Sequence, residues 1–309
     1  MGNTELVTFS RMAMACRFEV ILRGDDPERV QRAAEAALDE IDRIETLLNM
    51  YDPDSTVSAI NRSAAKEPVP VNDEVFDLLL VAGAIWEKTD GAFDPTAGPL
   101  VRLWRKWRAR GMTPDPSVID SVRQRVGMQH VILNPKRRTI RFNRPGMHLD
   151  LGAIGKGYAV DRAVEVLEGY GYGHFLLHGG TSSAAARGNV DKDHDGWPIG
   201  LTDPADRDRV LETRTLRDQA LGCSNQQSQH YECGGHIFGH VLDPRTGWPV
   251  PADSGSVVIC DSAAWADALS TALFILGPDG GDVVARACPN ARFFFLPVSH
   301  TQRPPTTEN

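Results

Sequence analysis

The sequence is poor in cysteine, in long apolar runs and in net positive charge, and each shortage closes off a class of protein. Cys16, Cys223, Cys233, Cys260 and Cys288 are scattered, odd in number and never form a Cys-x-x-Cys pair. A disulfide scaffold does not suit a chain of this size, so the thiols are expected to be reduced and mostly buried, with Cys223 nearest the suspected chemistry. No stretch reaches the ~18 consecutive apolar residues of a membrane-spanning helix. The segment from Met1 to Leu22 lacks the basic and apolar blocks of a secretory signal, and Leu6 stands where an acylation signal needs Ser or Thr. As given, the chain reads as cytoplasmic and without a membrane span; an export signal ahead of Met1 would make it periplasmic or membrane-anchored. With 33 Lys and Arg against 41 Asp and Glu, the formal charge is −8, which argues against a general nucleic-acid binder. A phosphate ligand held locally by a metal ion or a helix N-terminus stays open.

What is present suits a globular protein with a large core: 309 residues, 41% hydrophobic and 24% charged. Arg17 to Leu22 alternates as an opening strand. Asp25-Asp26-Pro27-Glu28 supplies a cap, a proline for the first turn and early negative charge. Val30, Ala34, Ala37, Leu38, Ile41, Ile44 and Leu48 follow at helical spacing, which predicts a long amphipathic helix ending near Asn49. Tyr51 to Ser55 is turn-rich and opens a loop. A second helix is predicted from about Asn72 to Thr89. A shorter one surrounds Leu100, Leu103, Trp104 and Trp107, and its Arg102, Arg105, Lys106, Arg108 and Arg110 read as a solvated basic face. Val131 to Phe142 looks like a hairpin, His148 to Leu151 like a short strand and Phe175 to Leu177 like a buried one. A helix holds Ala159, Val160, Ala163, Val164 and Leu167, another spans Ala263 to Leu276, and Arg292 to Leu296 closes the chain as a strand. No repeat or long linker divides it, so the coarse class is α+β, a single domain with two lobes around a cleft.

Several groups of residues carry possible chemistry. Asp267 and Thr271 lie four apart on the last long helix, so their oxygens share one face. A carboxylate and a hydroxyl are hard donors suited to Mg2+, which keeps waters and takes phosphate oxygens as further ligands. The same spacing also describes the polar stripe of an amphipathic helix. In Asp150-Leu151-Gly152-Ala153-Ile154-Gly155-Lys156-Gly157 a carboxylate and glycines precede a helix, where backbone N–H groups can approach a ligand. That run matches neither GxGxxG nor Walker A, and a tight strand–helix turn accounts for its glycines nearly as well. His240, ahead of the Asp243-Pro244 turn, has the ordinary pKa of a general base, although a lone histidine is more often structural. His230, His236 and His240 lack the positioned fourth ligand of a zinc set. Phe93, within Gly91-Ala92-Phe93-Asp94-Pro95, is suited to stacking on a planar ring, with core packing the plainer alternative.

The order of these segments resembles the FAD:protein FMN transferase (ApbE) family from about Met12 to Gly277. The resemblance is carried by Met14…Phe18-Glu19-Val20, Tyr51 to Ser55 with Asn61, Gly91 to Pro95, Asp150 to Asp161, Gly179-Gly180, His240 to Gly247 and Ala266 to Thr271. It implies a T-fold-related α+β domain over residues 12–300, with mixed or antiparallel sheets, flanking helices and an FAD cleft, then a flexible tail over 301–309. It implies a transferase that cleaves its substrate FAD, attaches FMN through a phosphoester to a Thr or Ser of an acceptor protein, and releases AMP. By the same resemblance Asp267, Thr271 and the Ala153 carbonyl hold Mg2+. Met14, Tyr51, Ala92, Phe93, Asp94, Asp150, Lys156 and Val241 line the FAD site, and His240 is the catalytic base. The chain departs from the family pattern at Thr181, where Asp is usual after Gly179-Gly180, and at Cys223-Ser224-Asn225 with the following Gln226 to Gln229. An FAD pyrophosphatase giving FMN and AMP, and a non-catalytic FAD-binding protein, are the alternatives.

Overall fold

A computed structural model describes residues 5–204, 206–225, 231–233, 236–251 and 254–297. The chain opens with β1 (Val7–Ala13), β2 (Cys16–Leu22), α1 (Pro27–Leu48), α2 (Thr56–Ser63), β3 (Val69–Pro70), α3 (Asp73–Lys88), α4 (Gly98–Arg108) and α5 (Pro116–Arg123). Next come β4 (Val131–Asn134), β5 (Thr139–Phe142), α6 (Gly155–Gly169), β6 (Phe175–Gly179), β7 (Ser183–Arg187), β8 (Trp197–Asp203), β9 (Asp206–Leu216) and β10 (Gln219–Ser224). It closes with β11 (Tyr231–Cys233), β12 (His236–Phe238), β13 (Ser254–Cys260), α7 (Ala263–Leu276), α8 (Gly281–Ala287) and β14 (Arg292–Pro297).

Seven strands pair antiparallel in the order β1-β2-β6-β7-β10-β13-β14. Alternation along these strands sends two sets of side chains to opposite faces. Phe18, Val20, Leu22, Phe175, Leu177, Ala185, Ala220 and Val258 join the apolar sides of α1, α6 and α7 in the main core. Leu176, Ala186, Leu221, Val257 and Ile259 face the other way, beneath Trp197, Leu201 and Leu216 of the β8–β9 hairpin. The predicted α+β class with antiparallel sheets and flanking helices is thus the observed one. Among the described residues, no helix is long and apolar enough to cross a membrane.

The helices follow local chemistry closely. Asp26 caps α1 by accepting the Glu28 and Arg29 N–H groups, and Asn72 caps α3 through the Val75 N–H. Some expectations are corrected. Arg17 to Leu22 is the second strand of a hairpin, since Val7–Ala13 precedes it and pairs with it. The turn between them lacks the Gly or Asn that announces one: Met14 and Ala15 both take positive φ, at 48° and 58°. The loop expected after Tyr51 turns into α2, because the Ser55 hydroxyl accepts the Ser58 N–H and Val57 and Ile60 reach the core. His148 to Leu151 is not a strand. The Asn61 amide donates to the Leu149 carbonyl at 3.0 Å and accepts its N–H at 2.7 Å, so a side chain takes the place of a neighbouring strand. Helices α5 and α8 were unanticipated, although Asp115-Pro116 at the start of α5 is a cap-and-proline signal.

Candidate active site

Helix α7 carries Asp267 and Thr271, and its position is set by two glycines and one aspartate. A Cβ at Gly157 of α6 would lie 2.1 Å from the Ala263 carbonyl oxygen, and one at Gly222 of β10 would lie 2.2 Å from Ala266 backbone atoms. No larger residue permits this approach of α6 and β10 to α7. Asp161 of α6 then binds the N-terminal end of α7. Its carboxylate accepts the Ala263 and Ala264 N–H groups at 2.7 and 2.9 Å and the Ser262 hydroxyl at 2.7 Å. Asp161 was quoted above only as the end of a motif; the signal that it ties two helices together is absent from local sequence.

Asp267 is 3% exposed. One carboxylate oxygen accepts the Gly157 N–H at 3.0 Å. Burial raises its pKa against the opposing influences of Lys156, Gly157 and Ser183. Around it are neutral oxygens: the Thr271 hydroxyl lies 3.2 Å from that of Ser224, which is 2.9 Å from that of Ser270. The Ser270 and Thr271 hydroxyls donate to the Asp267 backbone carbonyl at 2.9 and 3.3 Å, so a buried carboxylate and neighbouring hydroxyls give this helix a set of hard oxygens, chemically matched to Mg2+. Among the described residues no group of three or more His, Cys, Asp or Glu side chains forms a metal cluster. A cation here would depend on substrate or water oxygens for most of its ligands.

Lys156 is the hub that relates the remaining residues. Its ammonium lies 3.4 Å from the Gly152 carbonyl oxygen and acts through space on Asp150, Asp267, His240 and Cys16. Residues from four separate stretches of chain therefore share one electrostatic neighbourhood. Asp150 accepts the Gly152 N–H at 2.9 Å, and burial raises its pKa. His240 is open to solvent yet set among protein atoms. That desolvation, then Lys156, then Arg108, lowers its pKa. A neutral imidazole able to take a proton results. Val241 follows it, half-buried, and Ala153 sits half-buried on the turn before α6. The Asp243-Pro244-Arg245-Thr246-Gly247 turn stands by itself. Asp243 accepts the Arg245 N–H and guanidinium at 2.8–2.9 Å, Gly247 donates to the Asp243 carbonyl at 2.7 Å, and Trp104 of α4 donates to the Gly247 carbonyl at 2.8 Å.

The structure separates the remaining FAD candidates by what their side chains can reach. Tyr51 is 62% exposed, with the Arg105 guanidinium 5.1 Å above its ring. Met14 lies half-buried at the positive-φ turn, a conformation that costs about 1–2 kcal/mol and recurs at functional sites. Ala92 and Phe93 are 0% and 2% exposed. Phe93 is therefore packed in the core with Ala92. Asp94 is half-buried and lines a cavity of about 390 Å³ with Trp86, Gly127, Gln129 and Arg245. Cys223 is buried and its thiol is pushed up to about 11 by desolvation, which makes it inert at neutral pH. Cys260 is also buried, Cys16 and Cys288 are half-buried, and all four are free. Thr181 is exposed beside Gly180, whose φ is 57°. Gln226 to Gln229, His230 and the 301–309 tail lie outside the described residues.

Asp94 also makes a pH prediction. Burial pushes its carboxyl up to about 6, against hydrogen bonds from Thr96, Trp86 and Met128. The folded state thus holds a proton that the unfolded chain, with a carboxyl near 3.8, has lost. The stability from that proton is complete below the unfolded value and disappears as pH rises through about 6. Asp94→Asn is expected to remove roughly 1–2 kcal/mol of that decline, allowing for partial exposure. Thermal midpoints of both proteins, followed across this pH range, will be parallel if the carboxyl has no such role.

Comparison with known proteins agrees with this geometry. The ApbE family model matches residues 12–295. An FAD:protein FMN transferase of Klebsiella pneumoniae is 32% identical over 288 residues, covering 93% of this chain and 87% of its own length. The crystal structure of the ApbE protein from Thermotoga maritima superposes with a TM-score of 0.84 at 27% identity, over 96% of this chain and 97% of that one. The apo flavinyl transferase ApbE of Pseudomonas stutzeri gives 0.81 at 26% identity, over 96% and 92%. With a family model spanning nearly the whole fold, the chain belongs to the ApbE family.

Proposed function

We propose that the protein is an Mg2+-dependent transferase that cleaves FAD and joins FMN to a Thr or Ser hydroxyl of an acceptor protein, releasing AMP. The observation that carries this is the burial of Asp267 on α7 beside the N-terminus of α6, where its carboxylate accepts the Gly157 N–H at 3.0 Å, next to Lys156, which contributes positive charge to Asp150, His240 and Asp267. Asp267, Thr271 and the Ala153 carbonyl would hold the metal, which when bound neutralises the diphosphate and the charge on departing AMP. Lys156 adds a fixed positive charge for the phosphates. Tyr51 offers a ring face for the flavin, and Met14, Ala92, Phe93, Asp94, Asp150 and Val241 complete the FAD lining. His240 accepts the acceptor proton while the hydroxyl oxygen bonds to the flavin-side phosphorus. The phosphorus–oxygen bond to AMP breaks, and AMP keeps the bridging oxygen and its electron pair.

Incubation with FAD, Mg2+ and acceptors bearing one Thr is expected to give covalently flavinylated acceptor and an equal amount of AMP. FMN and AMP without labelled acceptor, across several acceptors, would identify a pyrophosphatase instead; FAD that persists unchanged would identify a binding protein. His240→Asn is expected to lower kcat by about 10²–10⁴-fold with little change in FAD affinity. A loss confined to affinity would make His240 a binding residue.

A further inference from the structure

We infer that the basic face of α4 is the docking surface for the acceptor protein, and that it selects acceptors whose target hydroxyl is flanked by Asp or Glu. On the transferase reading above, such a surface must lie beside the path to His240. Between Asp94 and Asp115 the chain carries Arg102, Arg105, Lys106, Arg108 and Arg110 and no carboxylate, although the protein has a net charge of −8. Leu100 and Trp104 bury one side of α4, and these basic residues are all exposed.

The face runs into the candidate active site. Arg105 stacks on Tyr51, Arg105 acts through space on Asp150, and Arg108 does so on His240. A helix of 11 residues extends about 16 Å. The two charges of one FAD diphosphate cannot engage cations spread along that whole length. Arg102, Lys106 and Arg110 are surplus to FAD and complementary to a second, acidic partner. Exposed Met112 and Trp248 flank the helix, and aromatics, Met and Arg are the residues enriched at protein–protein contacts. A membrane surface fits less well. Binding to lipid through an amphipathic helix needs a free apolar face, whereas that of α4 is packed against Ile119 and Leu242.

The test uses the full chain with FAD and Mg2+, and a small carrier protein displaying one Thr flanked by Asp and Glu, by Asn and Gln, or by Lys. The acidic display should be labelled with a kcat/KM about tenfold above the neutral one at low salt, and the advantage should shrink as salt rises. The triple variant Arg102→Glu, Lys106→Glu, Arg110→Glu should reverse the order and favour the Lys display. Its FAD affinity, acceptor-free FAD cleavage and thermal midpoint should match those of the wild type. Equal labelling of acidic and neutral displays, or an unchanged order in the triple variant, overturns the docking surface while leaving the transferase intact. Binding to anionic phospholipid vesicles that the triple variant loses, without any preference among displays, also overturns it and assigns the face to lipid. FAD cleavage with no display labelled removes the transferase reading, and the docking surface with it.

Discussion

Asp267→Asn is expected to abolish Mg2+-stimulated FAD cleavage, lowering turnover on the order of 10³-fold, without weakening the metal-free fold. The side chain is 3% exposed, and it accepts the Gly157 N–H at 3.0 Å. Asn keeps the shape and an acceptor oxygen for that bond but removes the charge. In the wild type, burial raises the Asp267 pKa, so proton-linked stability is complete at low pH and falls as pH rises through the folded value. The variant lacks that loss and should melt no lower than the wild type in metal-free buffer near neutral pH. Added Mg2+ should raise the wild-type midpoint, because a ligand that binds only the folded state stabilises it. In the variant it should have no effect. Cleavage that Mg2+ still stimulates, or a midpoint that still rises with Mg2+, would sink the metal assignment through two separate readouts.

Gly157→Ala is the second large expected effect, and its sign runs against helix propensity. In an ordinary helix the change stabilises by up to about 1 kcal/mol. Here the new methyl carbon would lie 2.1 Å from the Ala263 carbonyl oxygen and 2.5 Å from its carbon, both backbone atoms of α7. The helices must separate. That disturbs the Gly157 N–H bond to Asp267 and the Asp161 contacts at the start of α7. Overpacking of this kind costs about 3 kcal/mol, a drop of about 5 °C in thermal midpoint for a chain of this length, and Mg2+-dependent activity should fall with it. Gly169→Ala near the other end of α6 is the control, since its methyl would meet nothing within 4 Å. Equal midpoints for the two variants would show that α6 and α7 are not held at closest approach.

Much of this was legible along the chain. Asp26-Pro27 and the apolar spacing to Leu48 led to α1 at its observed ends, and Ala263 to Leu276 is the helix the sequence predicts. These elements are written in residues near one another, where caps and period are local properties. The failures share a physical cause. Leu149 satisfies its backbone with the side chain of Asn61, and the Met14-Ala15 turn holds positive φ without glycine. In both, distant packing decides what local propensity does not. Phe93 read as a stacking aromatic with core packing the plainer alternative, and its burial assigned it to the core. The basic face of α4 read as solvated, and only tertiary contact set Arg105 over Tyr51.

By itself, then, the sequence determined the long helices, the family resemblance and the hard-donor pair at Asp267 and Thr271. Short-range periodicity and motif order carry that information. Tertiary structure alone decided that Gly157 and Gly222 seat α7, that Asp161 binds its end, and that Lys156 acts on Asp150, His240 and Asp267 together. Electrostatic energy depends on distance through space, and His240 and Asp267 are separated from Lys156 along the chain by strands of the antiparallel sheet.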